Sequence, residues 1–124
     1  MIVAEKKQLV VVITAGLDDE RASVAWSVAN GGIKTGLDVT VFLASSGVDW
    51  VRLGAAESAH LNPLDPPIQE MIDDFRSGGG NVLVCPPCAG VRGYDQKDLL
   101  EGVTLVGSPA IHELIKEGAA TLSF

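Results

Sequence analysis

The 124 residues suit one compact domain, and with 47% hydrophobic and 20% charged residues the chain can bury a sizeable core rather than remain disordered. Nine basic against sixteen acidic residues leave a formal net charge of −7, which repels phosphate backbones and anionic membrane surfaces. Aromatic residues make up only 5%, too few for base-stacking platforms, so nucleic acid and membrane both drop out as partners.

Gln8 to Thr14 is a continuous β-branched run, the pattern of a strand buried on both faces of a parallel sheet. Asp18, Asp19 and Glu20 then suit the start of a helix, along which Ala22, Ala25, Trp26, Ala29 and Ile33 recur at helical spacing until Gly36 stops it. Asp38 to Leu43 reads as a second strand, completing a β-α-β unit. Between residues 44 and 65 the period breaks at Ser45, Ser46, Gly47, Gly54 and Pro63, with a short helix expected over Asp49 to Leu53.

Asp65 is expected to cap the next helix, Pro66 and Pro67 suit its first turn, and Ile68, Met71, Ile72 and Phe75 form its apolar stripe. Gly78, Gly79 and Gly80 end it, and Asn81 to Cys85 follows as a third strand. Residues 86–93 read as a turn, and Asp95 to Leu100 as one or two helical turns. Gly102 to Val106 is a fourth strand. Ser108 and Pro109 open a last helix with Ile111, Leu114 and Ile115 facing inward, and Ala119 to Phe124 closes as a strand. Strands alternating with helices predict a single α/β domain over residues 1–124. It is a three-layer α/β/α sandwich around a mostly parallel sheet of about five strands.

The longest apolar run, Leu9 to Ile13, is too short to cross a bilayer, and the first seven residues place their charges after their apolar residues, the reverse of a secretory leader. A cytoplasmic location is the expectation. Two cysteines three positions apart are too few and too close to staple a secreted fold, and in a reducing compartment such a pair points to reactivity.

In an open parallel sheet ligands bind beyond the carboxyl ends of the strands. The loop at Thr14 to Glu20 holds one glycine and three carboxylates, which suits a helix dipole and not a pyrophosphate. The three glycines at 78–80 precede a strand, so they terminate a helix and do not cradle a phosphate. His60 and His112 lack the further ligands of a metal site, and no metal or organic cofactor is expected. His60 keeps only a minor claim as a general base.

Cys85 and Cys88 are different. A thiol beyond a strand can feel the positive end of a following helix, which favours the thiolate. Arg92, four residues past Cys88, is the nearest basic group in sequence and could support a thiolate or bind an anionic substrate. Pro86 biases Cys85 away from helical geometry. The competing role is packing, because free cysteine is also a small hydrophobe and Cys85 continues the apolar strand Val82, Leu83, Val84.

These residues resemble the DsrE/DsrF-like family: the first strand with Thr14 to Asp19, the helix to Gly36, Val39 to Leu43 with Gly47 and Val48 beyond, and Val84-Cys85 followed by Arg92-Gly93. The resemblance implies a small α/β/α protein that assembles as a homo-oligomer, trimer or hexamer, and works in sulfur relay. It implies a persulfide carried on Cys85 and exchanged with a small sulfur-carrier protein. Cys88 departs from the general family pattern and is read as a resolving or auxiliary thiol, with Arg92 as anion support. A dithiol redox protein cycling Cys85 and Cys88 is the alternative, as is a non-catalytic oligomeric regulatory subunit.

Overall fold

A computed structural model describes residues 6–124; the first five, part of the segment read above as unlike a leader, lie outside the described residues. Five strands form one parallel sheet in the order β4-β3-β2-β1-β5. They are β1 (Gln8–Ile13), β2 (Asp38–Leu43), β3 (Asn81–Val84), β4 (Thr104–Leu105) and β5 (Ala120–Ser123). The helices are α1 (Arg21–Lys34), α2 (Ile68–Ser77), α3 (Pro86–Val91) and α4 (Pro109–Lys116), with 3-10 turns at Ser45–Val51 and Gln96–Asp98.

β1 and β2 pair in register from Gln8 opposite Asp38 to Ile13 opposite Leu43, so their alternate residues share faces. One face sends Leu9, Val11, Ile13, Val39, Val41, Leu43, Val82 and Val84 against α1 and α2. There Trp26 and Phe75 meet edge to face at 5.8 Å and 69°, and the Asn30 side-chain amide crosses from α1 to the Met71 carbonyl at 2.9 Å. The opposite face places Val10 and Phe42 against Ile111 of α4. The sheet is thus flanked by helices on both faces, as the sequence predicts.

Several local expectations are corrected. Residues 86–93 are not a simple turn: Pro86–Val91 is helical. The fourth strand shrinks to Thr104–Leu105, and the turn after β2 begins earlier, at Ser45. Asp65 does not cap α2, whose N-cap is Pro67; its carboxylate instead accepts a 2.7 Å hydrogen bond from the buried Ser23 hydroxyl. Ile115 faces outward, 46% exposed, because α4 crosses the sheet on a narrow stripe of Ile111 and Leu114. No described helix is long and apolar enough to cross a membrane.

Candidate functional site

The carboxyl end of β1 is tied to the loop after β2. The Ala44 N–H donates to the Ile13 carbonyl at 3.1 Å, and the Trp50 indole N–H, buried, donates to the Ala15 carbonyl at 2.8 Å. At Gly47 a Cβ would lie 2.1 Å from the Ile13 carbonyl oxygen, so only glycine fits this crossing. Ser45, at φ 51°, sits in the left-handed region that non-glycine residues rarely occupy.

Cys85 follows this platform on β3. Its N–H continues the ladder by donating to Leu43 at 2.9 Å. The backbone there is extended (φ −63°, ψ 117°), the geometry a residue before proline favours. Pro86 and Pro87 then occupy the first turn of α3, where their missing N–H groups leave no helical bond unmade. This sharp strand-to-helix change folds Cys88 back over Cys85, and the two sulfurs stand 2.8 Å apart. Both thiols are free and half-buried. Cys85 packs with the cluster on the α4 face, whereas Cys88 packs with the cluster on the α1–α2 face.

Burial pushes the Cys85 thiol above its ordinary value, and the Cys88 thiol against it pushes the same way. The Cys88 backbone N–H beside the sulfur pulls downward but does not win. The sequence expectation that the following helix favours the thiolate therefore fails for Cys85 in the isolated chain. The cause is desolvation, compounded by a second thiol.

Arg92 caps α3 with its side chain as well as its backbone. Its Nη1 donates to the Cys88 carbonyl at 3.0 Å, Nη2 reaches the Ser46 hydroxyl at 3.4 Å, and Nε lies 3.6 Å from an Asp49 carboxylate oxygen. The Tyr94 hydroxyl donates to that same oxygen at 2.6 Å. Arg92 is thus brought to the backbone of the cysteine turn, and its recorded hydrogen bonds run to oxygen and not to sulfur. A shallow cleft of about 300 Å³ opens beside it, lined by Arg52, Leu53, Arg92, Gly93, Tyr94 and Asp98.

Asp49, Ser46 and Tyr94 are the members of this site that sequence reading misses. The available signal is positional: Ser46 and Asp49 lie in the loop after β2, at the carboxyl end of the sheet, and Tyr94 is the single tyrosine in the chain. The histidines stay apart from the thiols. His60 hydrogen-bonds the Asp65 carbonyl at 2.7 Å in the loop before α2, and His112 is exposed on α4. Among the described residues no group of three His, Cys, Asp or Glu side chains could hold a metal ion. In the loop after β1, Asp19 clasps Arg21, whose guanidinium holds the Asp19 carboxyl below the usual carboxylate range.

The chain is similar to proteins of methanogenic archaea. MJ0989 of Methanocaldococcus jannaschii, an uncharacterised protein, is 29% identical over 119 residues, covering 95% of this chain and 99% of the relative. MK0008 of Methanopyrus kandleri, also uncharacterised, is 29% identical over 116 residues, covering 93% and 91%. MJ0760 of M. jannaschii, uncharacterised as well, is 28% identical over 103 residues, and there the match spans only 37% of the relative's length.

Among solved structures, the YchN protein of E. coli superposes with a TM-score of 0.78 at 20% identity, covering 97% of this chain and all (100%) of that one. MTH1491 of Methanobacterium thermoautotrophicum, of unknown function, gives 0.69 at 21% identity, covering 96% and 100%. These likenesses establish a common fold. The family model for DsrE/DsrF-like proteins matches residues 6–124, from the first strand through the cysteine turn to the last, and the chain belongs to the DsrE/DsrF-like family.

Proposed function

We propose that this is a cytoplasmic sulfur-relay protein that carries a persulfide on Cys85, with Cys88 as its auxiliary thiol, and exchanges sulfur with a small carrier protein. The observation that carries the reading is the position of Cys85. It stands at the carboxyl end of β3, half-buried, on a loop platform fixed by Gly47 and Trp50. Family membership supports sulfur relay as the class of activity.

Loading needs no metal or organic cofactor. The Cys85 thiolate attacks the outer sulfur of a donor persulfide, the donor's sulfur–sulfur bond breaks, and the donor leaves as its thiol or thiolate. There is no net oxidation. Because burial raises the Cys85 thiol, the thiolate fraction and with it the loading rate increase as pH climbs toward and past the ordinary thiol value of 9.0. Arg92 supports the site by holding the last turn of α3 onto Asp49 and the Cys88 carbonyl. Assembly into a trimer or hexamer is part of the same proposal, supported by the lightly covered sheet face under α4.

The close sulfur pair favours a second reading, a dithiol protein that cycles Cys85 and Cys88 through a disulfide. Intact mass after incubation with glutathione persulfide, without reductant, separates the two. The Cys88→Ser variant is expected to gain one sulfur and Cys85→Ser none. If Cys88→Ser gains no sulfur while the wild type merely loses two hydrogens, the dithiol reading replaces sulfur carriage.

A further inference from the structure

Resting on the persulfide reading of Cys85, we propose that Cys88 gives the chain a second activity: it reduces the persulfide it carries, releasing free hydrosulfide and closing a Cys85–Cys88 disulfide. The geometry that points there is the 2.8 Å separation of the sulfurs, closer even than the roughly 3–3.5 Å of reacting atoms in a near-attack arrangement. No outer sulfur fits between two sulfurs already so close. A sulfane sulfur added to Cys85 must extend away from Cys88, and that is the in-line arrangement in which Cys88 displaces it.

The approach is fixed by covalent and helical constraints rather than by side-chain flexibility. Pro86 and Pro87 hold the turn, the Ala89 N–H donates back to the Cys85 carbonyl at 3.0 Å, and Arg92 ties the Cys88 carbonyl at 3.0 Å. Cys88 therefore meets the inner sulfur of the persulfide at high effective concentration. A carrier that only hands sulfur onward has no use for a second thiol in that place, since it shortens the life of the cargo.

The step balances as written. The Cys88 thiol gives up its proton to water, and its sulfur pair forms a bond to the Cys85 sulfur. The bond between Cys85 and the outer sulfur breaks, and hydrosulfide leaves with that electron pair. The outer sulfur is reduced and Cys88 is oxidised. The resulting disulfide blocks Cys85 until an external dithiol reductant exchanges with it, restoring both thiols. Pro86, Pro87, Gly90 and Val91 on α3 are exposed, Val91 at 81%, so the turn bearing the pair is open to such a reductant. Sulfur delivery would then depend on the dithiol supply: the pair releases sulfide when no acceptor collects the persulfide first.

The test follows the full chain after a single charge with glutathione persulfide, excess donor being removed. It reads hydrosulfide with a fluorescent bimane trap and protein mass in parallel, on wild type, Cys88→Ser, Cys88→Ala and Cys85→Ser. The wild type is expected to release one equivalent of hydrosulfide and to lose two hydrogens. Both Cys88 variants are expected to keep the added sulfur, with release slowed by about tenfold or more as the intramolecular attack is lost. Two Cys88 variants guard against a substitution that disturbs folding, since the smaller alanine leaves the turn unstrained. Equal release from wild type and both Cys88 variants overturns the reductase step while leaving Cys85 as carrier. A stable gain of one sulfur on Cys85→Ser, equal to that on Cys88→Ser, overturns the carrier reading itself, and the reductase step with it.

Discussion

The two faces of the sheet are built from the same strands yet differ in how they are covered. Beneath α1 and α2, Trp26, Phe75, Ile68 and Ile72 are fully buried and interlock with five valines, two leucines and an isoleucine from the strands. Beneath α4, an eight-residue helix, Val10 and Phe42 meet Ile111, while Val12 and Leu83 stay only half-buried and Ile115 is 46% exposed. The first face is a finished core, whose residues report on folding. The second is only partly closed by its own chain, and Cys85 belongs to that side. The difference teaches where stability and chemistry are separated: Cys88 is anchored to the finished core and Cys85 to the unfinished face, and their sulfurs meet at the sheet's carboxyl edge.

The largest effect that can break this comparison comes from the finished face. Trp26→Ala removes the fully buried partner of Phe75 and is expected to cost about 3–5 kcal/mol of unfolding free energy in urea titration. The Trp26 indole N–H has no hydrogen-bond partner among the described residues, so the loss is one of packing and cavity rather than of a polar contact. A cost below about 1 kcal/mol would show that this face is not the main source of stability.

A smaller effect is expected at the latch beside the cysteine turn. Tyr94→Phe deletes the hydroxyl that donates to Asp49 at 2.6 Å and is expected to cost about 1–2 kcal/mol at neutral pH. Burial, followed by the Asp49 carboxylate, pushes the Tyr94 hydroxyl above its ordinary value of 10.0. The folded chain therefore keeps this proton to higher pH than the unfolded chain does. The stability it contributes is complete below about pH 10 and is lost as pH rises through the folded value. Urea midpoints from pH 8 to pH 11 should show that decline in the wild type and a shallower one in Tyr94→Phe. Equal slopes would remove Tyr94 from the latch.

Much of this architecture is legible in the sequence because the strands carry their own signal. Leu9 to Ile13 and Val39 to Leu43 are β-branched or large apolar runs with buried neighbours on both sides, and Trp26 and Phe75 mark the inner stripes of their helices. What stays hidden has local causes. α3 has six residues, two prolines and a glycine, so no apolar period announces it. Ile115 falls on the expected stripe of α4, but only Ile111 and Leu114 of that stripe pack against the sheet. The cysteine pair is legible as a motif, while the partners of Arg92 are not, because Tyr94 and Asp49 meet across 45 residues of chain. The direction of the Cys85 shift is hidden for a related reason: sequence shows the helix that follows, but not the burial that outweighs it.

The smallest change in folding energy is expected at two apolar side chains left open, one on α4 and one on the edge strand β5, and it is the most informative about assembly. Ile115→Glu and Leu122→Glu each replace a side chain nearly half open to water, so unfolding of the separated chain should move by no more than about 0.5 kcal/mol. β5 is an edge strand with all four residues exposed, and on the other side of its neighbour α4 leaves the sheet partly covered, so a second copy finds apolar surface there. A carboxylate buried in such a contact would be unpaired and costly. Light scattering on a sizing column should therefore show both variants at lower mass than the wild type at equal concentration. If their mass matches the wild type's, assembly uses neither of these surfaces, and the incompleteness under α4 then belongs to traffic at Cys85 rather than to contacts between copies.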